Sequence, residues 1–194
     1  MLSNMRTTAI AVPLLGLALL TTACDNSAVT DPADTLELHR RGGDAHPAGF
    51  WRQLAQLARL TAPYHNLENA MAAEYSAQLT PCWYFSGVGA MGYHYGNPAF
   101  IDGSVDLLEP EILVYEPKRN GRMRLGAMEY IVPIDAWEGD EPPELLGQTF
   151  HRSDELGLYL LHIWLWKYNP DGLFANWNPR VTCRFAEDSE DRAP

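Results

Sequence analysis

His94, Glu129 and His162 are the residues of this 194-residue chain whose setting most needs a chemical explanation. Each stands in a short run otherwise rich in aromatic and aliphatic residues: Met91–Tyr95, Met123–Val132 and Leu158–Tyr168. Alternate side chains of a strand share a face. By that parity His162 lies with Leu158, Leu160, Trp164 and Trp166, and Glu129 with Met123, Leu125, Ala127 and Ile131. His94 lies with Gly92, and Glu116 with Ile112 and Val114. An ionisable group on an apolar stripe is costly to bury unless it is paired or metal-bound. Two imidazoles and a carboxylate make a donor set for a divalent first-row metal. His65 and Glu68, at helical i, i+3 spacing, are candidate additional ligands. The plainer alternative is that Glu129 and His162 satisfy each other, or backbone, as core polar groups.

A second chemistry is open to the aromatic residues. Trp164, Trp166, Tyr93 and Tyr95 could line a cleft suited to a sugar or another flat ligand. Ligand or partner binding through that cleft is the leading expectation, and metal binding or metal-dependent catalysis is the alternative. No GxSxG and no HExxH is present, so no enzyme class is defined. Gly87–Gly92 spells GxGxxG, but a strand and a turn follow it where a dinucleotide fold needs a helix. Asp102, Ser104 and Asp106 begin like an EF-hand loop, yet Leu107 and Leu113 occupy the positions that need glycine and glutamate. Glu116 and Glu129 could serve as a glycosidase pair only if they flank one sugar.

These groups must be positioned by helices early in the chain and strands later. Pro47–Tyr75 reads as helical, with Trp51, Leu54, Ala55 and Ala58 at i, i+3, i+4 and i+7. Pro63 forces a break near Leu60–Ala62. Thr61 is then expected to cap a second helix whose stripe is Tyr64, Leu67, Met71 and Tyr75. From Thr80 onward, strand-like runs alternate with turn signals. Asn120-Gly121 predicts a hairpin pairing Glu111–Glu116 with Met123–Val132. Leu158–Tyr168 is apolar on both faces and reads as a central strand. The expected fold is α+β, N-terminal helices packed on a mainly antiparallel β-sheet, in one domain over 47–186.

The termini bear on location. Residues 1–23 read as a lipoprotein signal peptide: one charge, then a short apolar core, then Leu20-Thr21-Thr22-Ala23-Cys24. That ending resembles a bacterial lipobox, which implies a lipid on Cys24 and contact with a membrane through it. Residues 24–46 read as a flexible tether and 187–194 as a frayed acidic tail. Cys82 and Cys183 remain as an even pair, and an oxidising compartment favours their disulfide. Closing a loop of about 100 residues is worth about 4–5 kcal/mol in the chain-entropy account. The net charge of -11 argues against nucleic acid as a partner, since phosphate binding needs clustered cations. The expected location is the bacterial cell envelope, lipid-anchored or secreted, with a small ligand or an envelope protein as partner.

Several stretches are also familiar as a set. They are Tyr64-His65-Asn66-Leu67-Glu68-Asn69-Ala70, Met91-Gly92-Tyr93-His94-Tyr95 and Val114-Tyr115-Glu116-Pro117, with Glu129-Tyr130-Ile131-Val132-Pro133 and His162-Ile163-Trp164-Leu165-Trp166-Lys167. Together they resemble a family of exported bacterial proteins without an established activity. The resemblance spans about Ala48–Cys183. It implies a single secreted domain and brings no catalytic residue with it.

Overall fold

Helix comes first along the chain and sheet second. The computed structural model describes residues 31–42 and 46–192. Helices α1 (Pro32–Arg41), α2 (Ala48–Thr61) and α3 (Leu67–Ala72) precede ten strands. These are β1 (Ala77–Gln78), β2 (Cys82–Phe85), β3 (Gly89–Gly96), β4 (Ile112–Pro117), β5 (Met123–Pro133), β6 (Glu144–Leu145), β7 (Gln148–Thr149), β8 (His151–Ser153), β9 (Leu158–Ile163) and β10 (Ser189–Asp191). The main sheet runs β10-β2-β3-β4-β5-β9-β8, with β1 also paired to β3. Every pairing is antiparallel except that of β10 with β2. The fold is therefore α+β, and the Asn120-Gly121 turn joins β4 to β5 as its sequence requires.

The sheet has two apolar faces. The helices cover the larger, where Leu54, Leu57 and Ala58 of α2 meet Leu113, Tyr115, Met128 and Trp166. The smaller face carries Ala90, Ile112, Val114, Ala127, Ile131 and Trp164, with Val181 from the C-terminal segment. Leu165 N–H and Trp166 N–H turn to Ile163 O and Gly126 O just after β9, so Trp164 and Trp166 leave on opposite faces. The parity that placed them together fails there. It fails a second time at a bulge in β5. Val114 pairs with Ala127 but Tyr115 with Leu125, which leaves Gly126 as the extra residue. Ala127 and Ile131 stay on the smaller face, while Leu125 and Met123 turn to the larger. β9 is interior, between β5 and the three-residue edge strand β8.

The helical boundaries also differ from expectation. Thr61 does not cap a second helix. It closes α2, buried, donating to Leu57 O at 2.9 Å and accepting Trp166 Nε1–H at 3.0 Å. A 3-10 turn, Ala62–His65, absorbs Pro63, and Asn66 caps α3 by accepting Glu68 N–H. α3 stops at Ala72 and Met71 is exposed, while Tyr64, Leu67 and Tyr75 of the predicted stripe pack on the core.

Two segments expected to be loose are ordered. Residues 32–41 of the supposed tether form α1, capped by Asp31 and burying Thr35, Leu36 and His39. In the supposed acidic tail, Ser189–Asp191 extend the sheet beside β2. The signal peptide and Cys24 lie outside the described residues. Among those that are described, no helix is long and apolar enough to cross a membrane.

Candidate metal centre

Register brings the three predicted residues together. Glu129 on β5 sits directly opposite His162 on β9 and opposite Ile112 on β4. His94 on β3 is one alternate row away, opposite Val114. Ile112 and Val114 belong to the smaller apolar face, so His94 reaches Glu129 across β4 on that side. One ligating atom from each of His94, Glu129 and His162 lies within 4.8 Å of the others. Relative exposures are 2%, 5% and 1%, so water contributes almost nothing to solvating them.

The distances decide between two readings of this cluster. His94 Nε2 is 3.4 Å from Glu129 Oε2, and His162 Nε2 is 3.5 Å from Glu129 Oε1. A good N–H···O bond lies at about 2.7–3.2 Å. Two atoms each about 2.1 Å from a tetrahedral ion stand about 3.4 Å apart. His94 Nε2 and both ring nitrogens of His162 lack a well-formed hydrogen bond. The Asn176 side chain approaches His162 without closing one. Unpaired buried nitrogens are uncommon because each costs about 1–3 kcal/mol. The spacing and the unsatisfied nitrogens therefore fit coordination better than mutual hydrogen bonding.

Burial sets the protonation of the three groups. It pushes Glu129 up to about 8, and the Glu111 carboxylate adds to the rise. It pulls His94 down to about 3, with repulsion from His162 adding to the fall and the Gly92 backbone opposing it. It pulls His162 down to about 4, against the Asn176 side chain. Both imidazoles are thus neutral at pH 7, the form that binds metal. Thr80 Oγ1 lies 2.8 Å from His94 Nδ1. With the proton on Nδ1 donated to Thr80, the lone pair on Nε2 points at Glu129, which is the outer support that ligating histidines need.

Two other buried glutamates show what a hydrogen-bonded carboxyl group looks like here. Glu116 Oε2 accepts from Lys118 Nζ at 2.8 Å and Lys167 Nζ at 2.6 Å. Glu111 Oε2 accepts Ile131 N–H at 3.2 Å. Glu129 has neither kind of partner and faces imidazoles. Glu116 lies opposite Arg124 and Glu129 opposite Ile112, four residues or about 13 Å along β4. With Glu116 also committed to Lys118 and Lys167, the two carboxyls are not arranged as a glycosidase pair flanking a sugar.

His65 and Glu68 do not join the site. The His65 ring packs edge-on against Trp166 at 4.3 Å, on the helical face of the sheet. Glu68 is exposed at the start of α3. Trp164 and Trp166 line no cleft, being 0% and 2% exposed. Tyr93 and Tyr95 do border a surface pocket of about 370 Å³, beside Met123, Phe185 and Asp188. Asp102 and Asp106 are consumed in turns, accepting from Ser104 and Leu108. Gly87 forms the turn between β2 and β3, and no helix follows the glycines. Cys82 and Cys183 are joined by a disulfide, Cα to Cα 5.7 Å. Thr80, Trp83 and Asn176 border the centre without any sequence signal for it.

No family model, curated protein or solved structure matches the chain.

Proposed function

We propose that the protein is an exported, lipid-anchored envelope protein that binds a divalent first-row metal ion through His94, Glu129 and His162. One observation carries the metal reading: buried, unsatisfied imidazole nitrogens face a buried carboxylate at coordination spacing. The donor set suits zinc, iron or manganese. All three donors are covered. That favours an ion tying β3, β5 and β9 together over one turning over a bulky substrate. The envelope assignment is supported by the apolar N-terminal segment ending at Cys24 and by the Cys82–Cys183 disulfide.

Elemental analysis of protein purified without a histidine tag tests the metal reading. About one equivalent of a first-row metal is expected, and it should be lost in His94→Ala and His162→Ala. Trace metal that is unchanged in both variants overturns it. Mass analysis of the mature N-terminus tests the anchor, through a lipid-modified Cys24.

A further inference from the structure

The side chains that cover the metal centre are held by the last part of the chain. Trp83 packs on His94, ring centroids 5.4 Å apart. Its indole N–H donates to Glu190 Oε2, and the Arg192 guanidinium lies 4.8 Å over its ring. Trp164 stacks on His162 at 6.1 Å. Its backbone N–H and indole N–H donate to Leu173 O and Ala175 O. Asn178 exchanges two backbone bonds of 3.1 Å with Ala90, and Val181 packs on the smaller face. Gly89 permits this crossing, because a Cβ there would lie 2.5 Å from the Asn178 backbone.

Cys183 ties this segment covalently to Cys82, the residue before Trp83. The two sulfurs differ in access. Cys82 is fully buried. Cys183 is half-buried and borders a surface pocket of about 590 Å³ with Gly87, Val88, Thr182 and Arg184. Besides the disulfide, β10 is held by three residues of strand pairing, by the Trp83–Glu190 and Ser86–Asp191 hydrogen bonds and by the Arg192–Glu155 ion pair, all of them near the surface. Contacts so close to the surface open more readily than the buried core.

We propose that Cys183 is a thiol-exchange site, and that the Cys82–Cys183 disulfide latches residues 173–192 over the metal centre. The co-substrate class is a small dithiol. Its thiolate enters the pocket, where the Arg184 cation favours it, and attacks Cys183 Sγ. The S–S bond breaks, and Cys82 leaves as a thiolate and takes a proton. The second thiol of the reductant then attacks the mixed disulfide and releases Cys183 as a thiol. Two electrons and two protons pass to the cysteine pair, and the dithiol becomes a disulfide. Opening the latch exposes His94 and His162. Its consequence for metal exchange rests on the metal reading above, whereas the latch itself does not.

The two claims are separated by treating metal-free protein with diethyl pyrocarbonate before and after dithiothreitol. Modification is mapped by mass spectrometry, with exposed His151 as the internal reference. Carbethoxylation of His94 and His162 should be about ten-fold faster or more once both thiols are free, while far-UV circular dichroism is retained. The Cys82→Ser/Cys183→Ser variant should match the reduced protein. In zinc-loaded protein, transfer of zinc to a chelator should accelerate by a similar factor. Equal histidine modification with both thiols shown to be free overturns the latch. So does global unfolding on reduction, or a native disulfide that resists dithiothreitol. Faster modification in a protein that never loads metal sustains the latch and refutes the metal reading.

Discussion

Glu129 and His162 are direct cross-strand neighbours whose closest polar atoms stand 3.5 Å apart, buried and without a hydrogen bond between them. The pair is too distant for a good hydrogen bond. A cation bound as proposed between them and His94 would satisfy all three residues at once.

Metal binding should release a proton. Burial holds the Glu129 carboxyl up at about 8, so at pH 7 it is largely protonated, whereas the ion requires the carboxylate. Apparent affinity should therefore rise as pH rises toward 8. Titration calorimetry in two buffers of different ionisation enthalpy should show about one proton released per ion at pH 7. Glu129→Gln should abolish that release and weaken binding. Release of no proton in the native protein would contradict the carboxylate assignment.

Stability of the metal-free protein should peak in mild acid. Glu129 and Glu111 are both raised to about 8 by burial, so their contribution is full below about 4.5 and is lost as pH climbs through 8. His94 and His162 are lowered to about 3 and 4, so theirs is full above about 6.5 and is lost as pH falls through those values. The optimum lies between about 4.5 and 6.5. Thermal melts with and without zinc check this. Zinc should move the optimum upward by fixing Glu129 as the carboxylate, and Glu111→Gln should flatten the remaining alkaline loss.

Glycines at two sites should separate backbone strain from steric contact. A Cβ on Gly92 would lie 2.4 Å from Tyr115 O, at φ 115°, inside the sheet. A Cβ on Gly121, at φ 74°, would meet nothing within 4 Å. Gly121→Ala should cost about 1 kcal/mol, the usual left-handed penalty. Gly92→Ala should cost more than about 3 kcal/mol or prevent folding. Denaturant melts of the two variants provide the comparison.

The His94–Glu129–His162 cluster was legible because three polar residues interrupt period-two apolar runs, and burial forces each to find a partner. The partners of those runs were less legible. Parity breaks at Gly126, where the bulge turns Leu125 and Met123 to the helices, and again where Trp164 and Trp166 part. His65 and Glu68 have ligand-like local spacing, but the 3-10 turn and α3 place them away from the centre. α1 escaped notice because it buries only Thr35, Leu36 and His39. β10 escaped because Ser189, Glu190 and Asp191 carry no apolar pattern, and backbone pairing with polar side-chain bonds to Trp83 and Ser86 places them. Asn176 and Thr80 sit in irregular segments, where an amide or hydroxyl has no period to betray it.

Thr80 supplies the most discriminating substitution, because it touches the centre only through His94. Its hydroxyl oxygen lies 2.8 Å from His94 Nδ1. Thr80→Val keeps the branched shape and removes the hydroxyl. If His94 serves only as packing, the variant loses about 1 kcal/mol of stability and nothing else changes. If His94 is a ligand, the loss frees the ring to rotate and to shift its proton to Nε2, the atom that must carry the lone pair. Supports of this kind are typically worth about 10- to 100-fold in metal affinity. Competition against a zinc-binding dye should therefore show weakened binding in Thr80→Val, with Thr80→Ser restoring most of it. Equal affinity in all three proteins would remove His94 from the ligand set, even if His162 and Glu129 still bind.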